Sequence, residues 1–320
     1  MRRRPRAEQA ATAETTVRVV VVGIGAIGQL ALEQALRDQS LTVVGAVDPA
    51  REGEILAGVP VAGRLDSRHA PAQVALVATG SALADVAELV EDAVERRLHV
   101  VSTCEELTYP WVRSSAVASR LDTVARRHGV AVVGTGVNPG FVMDILPAVI
   151  ATASCDVSSV RVVRRVDVGA RRPQLRQKLG IGADLDLWNE ARGTARYGHV
   201  GLVESAHLCA LAIRRDVTHV NFVREPVTAG ATVRGVRERA VAQLEGGGSV
   251  ELELVFALGC ADSDEVVVVG SPGIHIRVEG GVHGDSATVA RLLHAALYVS
   301  RLEPGLRLPL ELPLWAAPAL

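Results

Sequence analysis

One stretch near the start of the chain constrains its fold more than any other feature. Residues 17–28 read Val-Arg-Val-Val-Val-Val-Gly-Ile-Gly-Ala-Ile-Gly. The apolar run predicts a buried parallel strand, and the three glycines have the G-x-G-x-x-G spacing of a tight turn leading into a helix. A helix over 29–38 and a second buried strand over 41–47 follow. This order predicts a dinucleotide-binding domain rather than an ordinary glycine-rich turn.

The glycine loop and the end of the second strand together predict how a nicotinamide dinucleotide is bound. Asp48 ends the second strand, twenty residues beyond Gly28, where a carboxylate binds the adenosine ribose and repels a 2′-phosphate. Arg51 would offset part of that repulsion. We therefore expect NAD or NADP as cofactor, with NAD preferred. The backbone expected to approach the pyrophosphate is that of Gly23, Gly25, Ala26, Ile27 and Gly28.

Composition favours a soluble enzyme of two domains. The chain has 320 residues and a net charge of −2, and nothing in that balance points to nucleic acid or to a membrane surface. The basic start is followed by Glu8 and Glu14 rather than by the apolar segment of a signal peptide. Residues 1–16 are therefore expected to be a disordered tail, and the protein is expected in the cytoplasm.

The cysteines agree with that location. They lie far apart with no C-x-x-C pair, which predicts reduced thiols and neither a disulfide framework nor a metal site. Cys104 is followed directly by two acidic residues that disfavour a thiolate, so a packed thiol is expected there rather than a nucleophile. The four are Cys104, Cys155, Cys209 and Cys260.

Alternating strands and helices predict a doubly wound parallel sheet, a Rossmann domain, over residues 17–140. Beyond the elements already named, strands are expected at 74–78, 99–103 and 130–134, and helices at 82–97 and 112–128.

The pattern then changes to short strands and turns, which predicts an α+β domain on a mainly antiparallel sheet over residues 141–284. We expect this domain to bind substrate and to form a homodimer. A last helix over 286–302 is expected to return to the first domain, within a C-terminal segment of 285–320. The expected elements are helices at 141–151 and 201–214, strands at 158–168, 217–223, 241–244, 250–259, 266–269 and 274–278, and a hairpin loop at Gly246, Gly247 and Gly248.

Ligands of open α/β sheets bind beyond the carboxyl ends of the strands. A carboxylate that follows the central strand would face the nicotinamide crevice, and strand alternation allows only one of Glu105 and Glu106 to do so. Adjacent acids in a solvated loop are the alternative. Further residues at the three strand ends are expected to bind cofactor, namely Thr79, Gly80, Thr103, Asn138 and Gly140.

These segments resemble a family related to dihydrodipicolinate reductase, which includes 2,4-diaminopentanoate dehydrogenase and the native amine dehydrogenases. The resemblance covers nearly the whole chain after the tail, and its most specific parts are Cys-Glu-Glu-Leu at 104–107 and Asn-Pro-Gly-Phe at 138–141. It implies NAD(P)-dependent interconversion of an amine with a carbonyl and ammonia. It also implies that Glu105 is the catalytic acid/base, with Glu106 as second choice.

The resemblance further implies that His199 faces the substrate. Tyr109 and Phe141 lie beside the two most specific motifs, which favours an apolar substrate pocket, and Asn138 at the domain crossing is expected to reach the same pocket. Core packing of the aromatic rings and a structural role of the histidine are the alternatives. The roles of Arg171, Arg172 and Lys178 stay open, each between a site residue and a surface charge.

Three other functions are alternatives to an amine dehydrogenase. Homoserine dehydrogenase is disfavoured, because it would need a lysine near Glu105 and the sequence has none there. Another imine or carbonyl reductase of the same group stays open, as does a catalytically silent NAD(P) sensor. A sensor would need the glycine loop but no acid beside the nicotinamide.

Overall fold

The computed structural model describes residues 16–169, 171–191 and 197–315, so the predicted tail, apart from Thr16, lies outside the described residues. The first sheet has eight strands in the order β14-β7-β6-β5-β1-β2-β4-β3, all parallel except for β3. Its strands are β1 (Val17–Val22), β2 (Leu41–Val47), β3 (Ile55–Leu56), β4 (Val59–Ala62), β5 (Val74–Val77), β6 (His99–Ser102), β7 (Ala131–Gly134) and β14 (Gly305–Arg307).

Helices cover both faces of this sheet, which confirms the doubly wound fold. Alternate residues of β1 point to opposite layers, because side chains in a strand alternate between faces. Val20 and Val22 pack with α2 (Leu83–Glu95) and α3 (Ser115–His128). Val19 and Val21 pack with α1 (Ala26–Ala35) and α8 (Gly284–Tyr298) on the other face.

The second sheet has six strands in the order β13-β12-β8-β11-β10-β9, and only β8 and β11 pair in parallel. It is therefore mainly antiparallel, as predicted. Its inner face packs on two helices, α4 (Ile145–Ala151) and α7 (Leu202–Ala212), around one apolar core. The strands are β8 (Cys155–Asp167), β9 (Val217–Ala229), β10 (Thr232–Leu244), β11 (Ser249–Ala257), β12 (Ser263–Ser271) and β13 (Ile274–Glu279); the intervening helices are α5 (Pro173–Lys178) and α6 (Leu185–Glu190).

Several predicted elements have other bounds in the structure. The helix expected from 141 begins at Ile145, because the Asp144 carboxylate accepts its first free N–H. β10 is thirteen residues long rather than four. The glycine hairpin between β10 and β11 is confirmed. The helix predicted at 286–302 is present as α8 and packs on α1 and β1. Within the described part of the chain, every helix is too short or too polar to cross a membrane.

Candidate active site

The glycine loop has the backbone that a bound pyrophosphate requires. A Cβ on Gly28 would lie 1.7 Å from the carbonyl oxygen of Gly23, so only glycine lets α1 pack this closely against the turn. Gly23 has φ of +84°, in the left-handed region that glycine adopts without strain. A Cβ on Gly25 would meet nothing within 4 Å. The loop therefore leaves open space at Gly25 and fits a dinucleotide.

Asp48 and Arg51 lie against this loop. Asp48 accepts the Ile24 N–H at 2.7 Å and the Ala50 N–H at 2.9 Å. Arg51 donates to the carbonyl oxygen of Ile24 at 3.1 Å and pairs with Glu54. Neither side chain lines the cavity described next. Their roles toward the adenosine ribose stay a prediction.

A cavity of about 380 Å³ lies beyond the carboxyl ends of the first-sheet strands and reaches the inner face of the second sheet. Most of the predicted site residues line it, and they are Gly25, Ala26, Ile27, Thr79, Gly80, Thr103, Glu105, Asn138 and His199. Gly23, Gly28 and Gly140 lie behind this lining, where they shape the loops: the N–H of Gly140, for example, donates to the carboxylate of Asp144 at 3.0 Å.

The two adjacent glutamates have different surroundings. Glu105 lines the cavity, and its side chain is 19% exposed. Glu106 accepts the Leu83 N–H at 2.8 Å, which satisfies the first turn of α2. Both residues belong to a short 3-10 turn rather than to the strand. The two side chains do point apart, but helical geometry and not strand alternation separates them.

Lys178 corrects one inference from the sequence. Its Nζ lies 3.0 Å from Oε1 of Glu105 and 2.8 Å from Oγ of Ser81. A lysine is therefore beside Glu105, although 73 positions separate the two residues in the sequence. The second domain brings it there on α5. The one signal that could have found it is that Lys178 is the only lysine of the chain.

Three buried polar groups of the cavity lining have no partner among the described residues. They are both amide atoms of Asn138, the hydroxyl of Thr135 and Nδ1 of His199. Such groups are costly to bury unless something bonds to them, so they point to a polar ligand. Burial, and then the charges of Lys178 and Arg224, hold the pKa of His199 well below its usual range. The imidazole is therefore neutral.

The structure does not bring Tyr109 and Phe141 to the other predicted site residues. The ring of Tyr109 stacks on His207 with 5.2 Å between centroids. Phe141 packs against the core of the second domain, and the guanidinium of Arg291 lies 5.7 Å from its centroid. Neither aromatic side chain lines the cavity, because each is directed into packing contacts between elements.

Arginines line the far wall of the cavity, and each pairs with a carboxylate. Arg164 is buried and donates to both oxygens of Asp264 at 2.8 Å. Arg171 pairs with Asp262 at 2.9 Å, and Arg172 pairs with Asp285 at 3.2 Å. Arg171 and Arg172, whose roles the sequence leaves undecided, therefore both lie at the cavity. The sequence did not point to Arg164, because this residue lies inside β8.

Cys104 is packed, as expected. Burial raises the pKa of its thiol to about 12, and Sγ donates to the carbonyl of Ser81. Across the residues that the structure describes, there is no cluster of three His, Cys, Asp or Glu that could hold a metal ion. The buried carboxylate of Glu204 pairs with Arg113 at 2.7 Å.

A family model of the 2,4-diaminopentanoate dehydrogenase C-terminal domain matches residues 141–319, more than half of the chain. The chain belongs to this family. 2,4-Diaminopentanoate dehydrogenase of Acetoanaerobium sticklandii is 27% identical over 337 residues, with 93% of each chain covered. The resemblance drawn from the motifs is thereby confirmed.

Solved structures agree on the fold. An amine dehydrogenase from Mycobacterium smegmatis has a TM-score of 0.84 and 21% identity, over 95% of this chain and 98% of that one. GenD2 from gentamicin A biosynthesis, solved with NAD, has a TM-score of 0.57 and 20% identity, over 82% and 72% of the two chains. A dihydrodipicolinate reductase from Paenisporosarcina has a TM-score of 0.54 and 14% identity, over 91% and 97%.

Proposed function

We propose that this protein is an NAD(P)-dependent amine dehydrogenase, which oxidises an amine to a carbonyl and ammonia or runs the reverse amination. The observation that carries this proposal is the position of Glu105. Its carboxylate shares one cavity with the open glycine loop and the unpartnered amide of Asn138. A nucleotide sensor would have no use for an acid there. Membership of the 2,4-diaminopentanoate dehydrogenase family supports the same reaction.

The chain's own residues divide the work in this proposal. The backbone at Gly25, Ala26 and Ile27 binds the pyrophosphate, with the positive end of α1 toward it. Asn138 bonds to the carboxamide of nicotinamide or to the substrate nitrogen. NAD(P), when bound, supplies or accepts the hydride.

Glu105 acts on the substrate nitrogen. It takes the proton of the substrate ammonium, which leaves the lone pair needed to expel hydride from the neighbouring carbon. Once Glu105 has passed that proton on, its carboxylate stabilises the resulting iminium cation across a partly enclosed cavity. Water then adds to the iminium carbon, both of its protons pass to the nitrogen, and an ammonium ion leaves. In the reverse direction Glu105 returns the proton.

Several finer points belong to the same proposal. NAD is preferred to NADP, because Asp48 adjoins the loop while Arg51 already pairs with Glu54. Ammonia is the second substrate of the amination. The protein is a cytoplasmic homodimer that associates through its second domain.

The test joins a substrate screen to two matched variants. Aldehydes and ketones with excess ammonia are screened for oxidation of NADH and NADPH. Glu105→Gln keeps the shape but removes the charge and the base, so kcat should fall by about 10²-fold or more, with NADH affinity retained. Glu106→Gln is the control, because its amide oxygen still accepts the Leu83 N–H.

Two results would contradict the proposal. If Glu106→Gln abolishes turnover and Glu105→Gln leaves it whole, the assignment is off by one residue. If the wild-type protein binds NADH tightly and turns over no amine or carbonyl in the screen, a nucleotide sensor becomes the better account.

A further inference from the structure

Lys178 joins the second domain to the proposed catalytic glutamate. It is the last residue of α5, and its ammonium donates to Glu105 at 3.0 Å and to Ser81 at 2.8 Å. Glu105 follows β6 and Ser81 follows β5, so the lysine reaches across the crevice to two strand ends of the first sheet.

The same lysine lies between two cavities. Besides the 380 Å³ cavity, one of about 790 Å³ is lined by Trp188, Phe222 and polar side chains. Glu105 lines only the smaller cavity, whereas Lys178 lines both. The side chain of Lys178 is 31% exposed and that of Glu105 is 19% exposed. Lys178 is therefore the more solvent-accessible member of the pair.

Among the residues that the structure describes, two others line both cavities, and neither is suited to carry a proton out. Burial and nearby positive charge hold the pKa of His199 well below its usual range, so charging that ring is costly. The hydroxyl of Ser81 carries one proton and does not readily bind a second, so it is poorly suited to take up a proton and pass it on. The amine of Lys178 can both release and accept one.

The composition of the chain sets Lys178 apart. Of its 34 lysines and arginines, 33 are arginines, and this position is the exception. A guanidinium cannot lose its proton in a protein, but an ammonium can. A purely electrostatic partner for Glu105 could have been an arginine, as Arg164 is for Asp264.

We propose that Lys178 is a positioning and proton-relay residue, which passes the proton of Glu105 to water in the larger cavity. The inference rests on the proposed function. Oxidation of one substrate ammonium to a carbonyl and an ammonium ion releases one proton, which Glu105 takes first. Lys178 gives one N–H proton to water in the larger cavity and then receives the proton of Glu105. The pair returns to ammonium and carboxylate, and one hydronium ion has left.

The first experiment separates charge from proton transfer in the oxidative direction, in which ammonia is a product. Lys178→Arg keeps the charge and hydrogen-bond donors but cannot relay, so kcat should fall by about 10²-fold, with NADH affinity unchanged. Arg176→Ala is the matched control, because it removes an exposed basic side chain from the same helix. Its kcat should equal that of the wild type.

The second experiment restores the relay chemically. Lys178→Ala is assayed with added trimethylamine, which carries a proton but cannot form an imine with the product. Tetramethylammonium has the same charge and no proton to transfer. The proposal expects recovery of kcat with trimethylamine alone. Lys178→Met, which keeps the length of the side chain, replaces the alanine variant if that variant does not fold.

A third readout needs no activity. Protein that carries ¹³C-labelled lysine at Cε gives a single lysine signal, because Lys178 is the only lysine. This signal should shift in Glu105→Gln and stay in place in Glu106→Gln, since the carboxylate of Glu106 bonds to α2 instead. A signal unmoved by Glu105→Gln would overturn the pairing.

The kinetic outcomes are equally decisive. Wild-type kcat in Lys178→Arg, or rescue by both additives or by neither, would overturn the relay while leaving the proposed dehydrogenase intact. A wild-type protein without amine-dependent reduction of NAD or NADP would instead overturn the proposed function itself.

Discussion

Alanine at Gly25 and at Gly28 should separate cofactor binding from folding. Gly25 has φ of −74°, which any residue adopts, and a Cβ there meets nothing within 4 Å. Gly25→Ala should therefore leave the fold intact. It should raise the free energy of unfolding by about 0.4–1 kcal/mol, because alanine restricts the unfolded chain. The new methyl group would fill the space of the phosphate, so the Kd for NADH should rise at least tenfold, or about 1.4 kcal/mol.

Gly28→Ala should act on the fold instead. Its Cβ would lie 1.7 Å from the carbonyl oxygen of Gly23, and this contact can be relieved only by moving backbone. Overpacking of this kind costs about 1–3 kcal/mol, and the closeness of the contact places it at the upper end. At roughly 2–4 °C per kcal/mol, Tm should fall by about 6–12 °C.

The assay pairs thermal unfolding with titration of NADH fluorescence for both variants and the wild type. Unchanged NADH affinity in Gly25→Ala would refute the assignment of the open space to the pyrophosphate. A Gly28→Ala variant with the wild-type Tm would refute the packing argument, whatever its affinity for NADH.

Three further outcomes are expected. Asn138→Ala should lower kcat more than it weakens NADH binding, and steady-state kinetics with a binding titration would contradict this if affinity collapses while kcat survives. The wild type should favour NAD over NADP in kcat/KM, and Arg51→Ala should widen that preference; a tenfold preference for NADP would show that Arg51 governs the pocket. Burial lowers the pKa of His199 in the folded protein below its unfolded value of about 6.5. The free energy of unfolding therefore keeps the contribution of neutral His199 above about pH 6.5. It loses that contribution as pH falls from there through the folded-state pKa, by up to about 1.4 kcal/mol per pH unit. His199→Gln should therefore flatten the decline of the urea midpoint between pH 6.5 and 5.5, and an identical decline would contradict the assignment.

The fold was predictable where burial is continuous. All of β5 and the last four residues of β1 are buried, so their apolar runs are visible in the sequence. β14 was missed because it has only three residues and depends on the edge of β7 and on the Asp122 carboxylate, which accepts the Leu306 N–H at 2.8 Å. β10 was predicted too short because its exposed arginines interrupt the apolar pattern.

The site was predictable where it follows the strands of the first sheet. Glu105 and Asn138 could be placed because parallel strands end at one edge. Lys178 and Arg164 could not be, since their approach to that edge depends on how the second sheet packs against the first. The sequence has no lysine near Glu105, yet its single lysine, Lys178, reaches that carboxylate from the second domain.

The backbone at position 199 is held by contacts that do not involve the imidazole ring. Glu238 accepts the His199 N–H at 2.7 Å, and Arg224 donates to the His199 carbonyl at 2.6 Å. Arg224 and Glu238 also bond to each other at 2.6 Å, so this clamp does not involve the imidazole. For protein engineering, a side-chain library at position 199 would reshape one wall of the 380 Å³ cavity while its supporting loop stays anchored. Substrate range could then be altered there without remaking the scaffold.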